Sequence, residues 1–188
     1  MPLLGRRLRQ LVLGALLGTV AAHVCAAPAS AAPSLEYAVK ANYLYKFAPF
    51  VEWPPRLFAQ PTTPLSICVV GEDPFGGALD DAVRGQTFNG RPIIVRRLAA
   101  VEPGSPCNVL FVNRPTGQSP AEALKAVAGE PVLTVTDGGR GGDVGIIQFV
   151  MEDGHVRFDI DEAAARASGL SISSKLLSLA VSHRRTGA

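Results

Sequence analysis

The stretches LSICVVG at residues 65–71, NVLFV at 108–112 and PVLTVTD at 131–137 decide how this chain folds. Each is a short, nearly unbroken apolar run rich in β-branched side chains, the pattern of a strand buried on both faces. A further run, IIVRRL, lies within 91–98. Helix signals fall between these runs. Asp73-Pro74 reads as the start of a helix with Phe75, Leu79 and Val83 on its inner side. Ser119-Pro120 reads as an N-cap followed by proline at the first helical position, with Leu124 and Val127 inward and Gly129 as the stop. A repeating strand–helix order predicts a mostly parallel sheet covered on both faces. By analogy its strands resemble the order 2-1-3-4.

The pattern changes after Gly138. A glycine-rich segment, 138–145, leads into IIQFVM at 146–151, and then EDG precedes HVRFDI at 155–160. Two strand-like runs around an Asp-Gly turn predict a hairpin, with Val156, Phe158 and Ile160 on one side and His155, Arg157 and Asp159 on the other. Asp161 can cap an alanine-rich helix over 162–168 that Gly169 stops. A last helix begins near Ser171 or Ser173 and carries Leu176, Leu177, Leu179, Ala180 and Val181, with His183, Arg184 and Arg185 as a solvated tail. The fold class is α/β: a single compact domain with a mostly parallel central sheet flanked by helices, plus a C-terminal hairpin and helices.

Upstream of the first strand, Ser34 is a good N-cap for a helix whose apolar face includes Tyr37, Ala41, Leu44 and Phe47, ended by Pro49. Before it, Arg6, Arg7 and Arg9 run into an apolar segment from Leu11 to Ala22 and then into small residues. That order predicts a secretory signal peptide over 1–31, followed by a domain at 32–188. The apolar segment is well short of the roughly twenty residues that cross a bilayer. Cleavage fits after Ala26 or, better, after Ala31. A retained anchor is the weaker alternative, and Ala22-His23-Val24 ahead of Cys25 makes a poor lipobox.

Without its leader the chain keeps 15 basic and 16 acidic side chains, so the formal charge of +2 becomes −1. No basic tract or aromatic ladder points to nucleic acid. Of three cysteines, Cys68 and Cys107 remain in the exported part. They could form a disulfide closing a loop of about 40 residues, or lie as two buried thiols in neighbouring strands. Neither sits in a CxxC arrangement, and two cysteines with only His155 and His183 make a poor metal site.

Catalytic motifs are sparse. VVGEDPFGG at 69–77 leaves a strand for a helix and could offer amides to a small anion or polar metabolite, although it is not GxGxxG. The glycines of 138–145 lack a Walker ending and are better explained by positive backbone angles and close chain approach. His155 and Asp159 share a strand side but stand some 13 Å apart when extended, too far to pair. There is no GxSxG elbow and no HExxH. Recognition is favoured over chemistry. Tyr37, Tyr43, Tyr45, Phe47, Phe50 and Trp53 concentrate aromatics in one segment, as core anchors or as an interface. Leu170 and Ile172 flank Ser171 where exposed apolar side chains could seat a partner.

With these features the chain resembles the YfiR-like periplasmic family (DUF4154). The resemblance rests on YAVKANYLYKFAPFVEWP at 37–54, ICVVGEDPFG at 67–76, NVLFV at 108–112, GIIQFVMEDGHVRFDID at 145–161 and GLSISSKLLSLA at 169–180. It implies a non-catalytic repressor in the Gram-negative periplasm, without metal or cofactor. Such a repressor binds the sensory domain of an inner-membrane GGDEF diguanylate cyclase and lowers cyclic-di-GMP synthesis, and with it biofilm formation. Cys68 and Cys107 match family cysteine positions, whereas the later, closely spaced pair of the family has no counterpart here. The partner-binding candidates are Phe158, Asp159, Ile160, Leu170 and Ile172. A homodimer is left open. So are a small-molecule ligand near 71–77, which would make the protein an accessory sensor for transport or signalling, and a hydrolase with a cluster formed only in space.

Overall fold

The computed structural model describes residues 34–114, 116–138 and 144–184. The leader read over 1–31 lies outside them, as does most of the glycine-rich segment. Helix α1 (Leu35–Phe47) starts where Ser34 accepts the Tyr37 amide on its hydroxyl. Then come β1 (Val51–Glu52), β2 (Leu65–Gly71), α2 (Gly77–Val83), β3 (Thr87–Phe88), β4 (Arg91–Leu98), β5 (Val109–Asn113), α3 (Pro120–Ala126) and β6 (Leu133–Asp137). The hairpin is β7 (Ile147–Glu152) and β8 (His155–Asp161), followed by α4 (Glu162–Ala167), β9 (Ser171–Ile172), α5 (Ser174–Leu177) and β10 (His183–Arg184).

Eight of the described strands form one sheet in the order β10-β8-β7-β6-β5-β2-β4-β3. The run β4-β2-β5-β6-β7 is parallel throughout. Its first four members realise the 2-1-3-4 order. At one edge β8 pairs antiparallel to β7 and β10 parallel to β8; at the other, β3 pairs antiparallel to β4. The fold is thus α/β with a mixed, mostly parallel sheet flanked by helices.

Alternation along the strands builds two cores. Ile67, Val69, Val109 and Phe111 join α1, α2 and the hairpin on one side. Cys68, Val70, Leu110 and Val112 join Ala123 of α3 and the loop residues Val101 and Cys107 on the other. There Cys68 and Cys107 are bonded, with their Cα atoms 5.7 Å apart. Of the two arrangements open in the sequence, the structure therefore adopts the disulfide.

Several boundaries differ from expectation. Helix α2 starts at Gly77 rather than at Asp73, because the Asp73 carboxylate accepts the amides of Phe75 and Gly76 at 2.8 and 3.2 Å and holds a turn there. The last helix is a single turn capped by Ser173. Ser171 and Ile172 before it form a strand on β1, with Val51 opposite Ile172. His183 and Arg184 belong to an edge strand instead of a free tail. The β3–β4 turn at Asn89-Gly90 carries φ values of 49° and 76°, the left-handed pair that a type I′ hairpin needs.

Candidate interaction site

The carboxyl ends of parallel strands are where doubly wound sheets usually hold ligands, at the point where connections leave in opposite directions. Here that point lies between β2 and β5. The two strand ends are tied to each other: the Glu72 amide donates to the Asn113 carbonyl at 2.9 Å, and Asn113 Nδ2 donates to the Glu72 carbonyl at 3.0 Å. The adjacent amides at 75 and 76, the ones considered for an anion, are taken by Asp73. Arg97 locks this loop further, donating to Asp73 and to Asp80 at 2.6 Å each and to the Gly76 carbonyl at 2.9 Å. The hydrogen bond from Arg97 holds the Asp80 carboxyl below its ordinary value, against a smaller opposing effect of burial.

Beside it, two residues of α1 converge on the last residue of β6, and a third, Glu36, joins through Lys40. Lys40 Nζ donates to Asp137 Oδ1 at 2.6 Å and also pairs with Glu36, while Tyr37 Oη donates to Asp137 Oδ2 at 2.9 Å. Burial first, then the hydrogen bond to Asp137, pushes the Tyr37 phenol up to about 12. Lys40 is 1 % exposed. The cluster satisfies itself and pins the first helix to the sheet. Its one sign in the sequence was a lysine on the apolar stripe of α1, at helical spacing from Tyr37 and Leu44.

The hairpin end is organised by aromatic packing. Tyr43 and Phe47 of α1 meet Phe158 at centroid distances of 5.7 and 5.1 Å, and Phe47 meets Phe149 at 5.9 Å. Phe158, Ile160, Leu170 and Ile172, read in the sequence as partner contacts, are consequently core side chains at 3, 2, 2 and 8 % exposure. As the chain stands, none of the four presents a surface. Asp159 is half-buried and accepts both the amide and the hydroxyl of Ser182, at 2.9 and 2.6 Å. It fastens the chain leading into β10 and is turned away from chemistry with His155. His155 is exposed, with Nδ1 2.9 Å from the Asp153 carbonyl.

What the hairpin end does present is Met151, Leu179 and Val181, at 50, 57 and 43 % exposure. Met151 of β7 stands opposite Val156 of β8, and the Val181 amide donates to the Phe158 carbonyl on the far edge of β8, so the two flank that strand. In the sequence Leu179 reads as part of a longer last helix. Because that helix closes at Leu177, Leu179 and Val181 face outward while Ala180 still packs on the core.

Among the described residues, no group of three or more His, Cys, Asp or Glu side chains is gathered to hold a metal ion, and no helix is long and apolar enough to cross a membrane. The fold and its self-satisfied carboxyl edge define a doubly wound α/β domain whose polar residues are used to hold loops and helices in place. Residues 37–181 match the YfiR/HmsC-like family (DUF4154), and the chain belongs to that family.

Proposed function

We propose that this protein is an exported, non-catalytic regulator that acts in the periplasm by binding the sensory domain of an inner-membrane GGDEF diguanylate cyclase and holding it in its inactive form. The family match across 37–181 carries this reading. The leader read in the sequence and the polar groups engaged with one another at the carboxyl edge support it. Regulation of this kind is a population shift: tighter binding to one cyclase conformation makes that conformation more common, by no more than the difference in the two affinities. The contact surface we assign is the exposed rim of Met151, Leu179 and Val181. Phe158, Ile160, Leu170 and Ile172 act beneath it by setting its shape, and Asp159 by fastening the strand beside it.

A periplasmic pull-down with the mature chain, under oxidising and reducing conditions, tests the proposal. Enrichment of an inner-membrane GGDEF protein that is lost with Leu179→Glu supports it. Recovery of an unrelated system, or turnover of a metabolite by purified protein, overturns it.

A further inference from the structure

A cavity of about 350 Å³ opens between β1, the 3-10 turn at Pro55–Phe58 and the β3–β4 hairpin. Its lining includes Pro49, Trp53, Phe58, Phe88 and Asn89, and one charged residue, Glu52. The size falls within the usual range for small-molecule sites. Three aromatic rings reach it from three separate elements, and each is held in place. Trp53 donates its indole N–H to the Ala48 carbonyl at 3.1 Å. Phe58 meets Trp53 at 6.4 Å with the ring planes at 83°, and meets Phe88 at 5.5 Å. Phe88 is 5 % exposed and precedes the tight Asn89-Gly90 turn. Trp53 and Phe58 thus stand edge to face, at right angles, in the wall of the cavity.

The charge balance of this corner is specific. Glu52 is exposed on β1 and, among the described residues, has no ion-pair partner. Arg91 sits 5.2 Å from the Phe58 ring centroid and is held by the carbonyls of Pro61 and Phe58. It is not part of the lining, and it shows that the Phe58 ring already attracts a cation on one side. Aromatic faces joined to a single unpaired carboxylate are the chemistry that takes a poorly hydrated organic cation. A neutral apolar ligand would gain nothing from Glu52, and an anion would be repelled by it.

The geometry points to a binding site for a substituted ammonium ion of the choline type, seated against Trp53 and Phe58 with Glu52 as its counter-charge. This goes beyond the cyclase reading and does not depend on it. The test uses the mature chain and choline chloride. Trp53 is the one tryptophan in the sequence, so its emission reports this corner alone. Choline should change the emission saturably, and isothermal titration supplies a second readout should the indole stay silent. Its neutral isostere 3,3-dimethyl-1-butanol and sodium chloride should not. Glu52→Gln and Phe58→Leu should each weaken choline binding about tenfold, with circular dichroism unchanged. Phosphatidylcholine vesicles titrated in parallel distinguish a lipid headgroup from a free ligand. No saturable choline binding by either readout, equal binding of the neutral isostere, or full affinity in Glu52→Gln overturns the proposal.

Discussion

Lys40 on α1 and Asp137 at the end of β6 meet at 2.6 Å although 97 positions separate them in the sequence. The lysine is buried, whereas the Asp137 and Glu36 side chains are 20 and 37 % exposed. Water therefore shares part of the carboxylates' charge, and the pair is worth less than a fully buried one. Lys40→Met should destabilise the fold by about 2–3 kcal/mol, because it leaves two carboxylates facing each other without a cation. Adding Asp137→Asn to Lys40→Met should recover part of that loss. Urea titrations of the wild type, both single variants and the double variant measure the coupling. Independent, additive effects would mean that α1 is held by its apolar face alone.

Tyr37 makes the same junction sensitive to alkali. Its phenol rises from 10.0 to about 12 on folding, so the neutral form is favoured in the native state. A raised folded value means that the contribution is complete below pH about 10 and is lost as pH climbs toward 12. Two pKa steps correspond to about 2–3 kcal/mol at most, reduced by whatever water reaches the ring. Tyr37→Phe, which loses the hydrogen bond to Asp137, should be less stable than the wild type at neutral pH, with the difference shrinking above pH 10. A gap between the two melting curves that stays constant from pH 8 to 11.5 would contradict this.

The Cys68–Cys107 bond spans 39 positions and sits in the smaller core, under α3. A cross-link of that span should contribute about 2–4 kcal/mol by restricting the unfolded chain. For a domain of this size, reduction should lower the melting temperature by roughly 5–12 °C. Comparing oxidised protein, reduced protein and a Cys68→Ala/Cys107→Ala variant separates the covalent effect from packing. Equal melting points for all three would show that the bond adds nothing.

Much of this architecture is legible because burial on both faces leaves a continuous apolar signature. LSICVVG at 65–71, for example, is buried along almost its whole length and sits between β4 and β5. Elements whose existence depends on a distant partner leave no such mark. Val51–Glu52 and Ser171–Ile172 are strands only because they pair with each other, and a two-residue ladder has no period to detect. The same limit explains the site. Phe158 and Ile160 alternate as half-buried strand residues should, but alternation does not tell whether α1 or a partner covers that side. Tyr43 and Phe47 provide the cover, and only the tertiary structure brings them there.

Glycines of one short segment divide sharply by surroundings. A Cβ on Gly138 would meet the Phe149 carbonyl oxygen at 2.4 Å, and one on Gly145 would meet the Thr134 carbonyl oxygen at 2.8 Å. Both obstacles are backbone within the sheet, so neither can step aside cheaply. Gly154, in the hairpin turn, has φ +75° but open space around it. Gly138→Ala and Gly145→Ala should each cost about 2–4 kcal/mol, against about 1 kcal/mol for Gly154→Ala from backbone strain alone. Denaturation midpoints in that order check the argument, and three equal values would refute it.

Leu170 and Leu179 separate packing from presentation at the hairpin end. Leu170 is 2 % exposed, within the cluster that joins α4 to the sheet, while Leu179 is 57 % exposed just past α5. A charge at Leu170 must be buried unpaired or expelled by unfolding, so Leu170→Asp should lose the near-ultraviolet signal and melt early. Leu179→Glu should keep the wild-type melting point within about 0.5 kcal/mol of stability, since its side chain is already in water. Partner capture must then be read from Leu179→Glu and never from Leu170→Asp, where loss of binding would only repeat loss of fold. A folded Leu170→Asp, or an unfolded Leu179→Glu, would reverse the assignment of which leucine faces solvent.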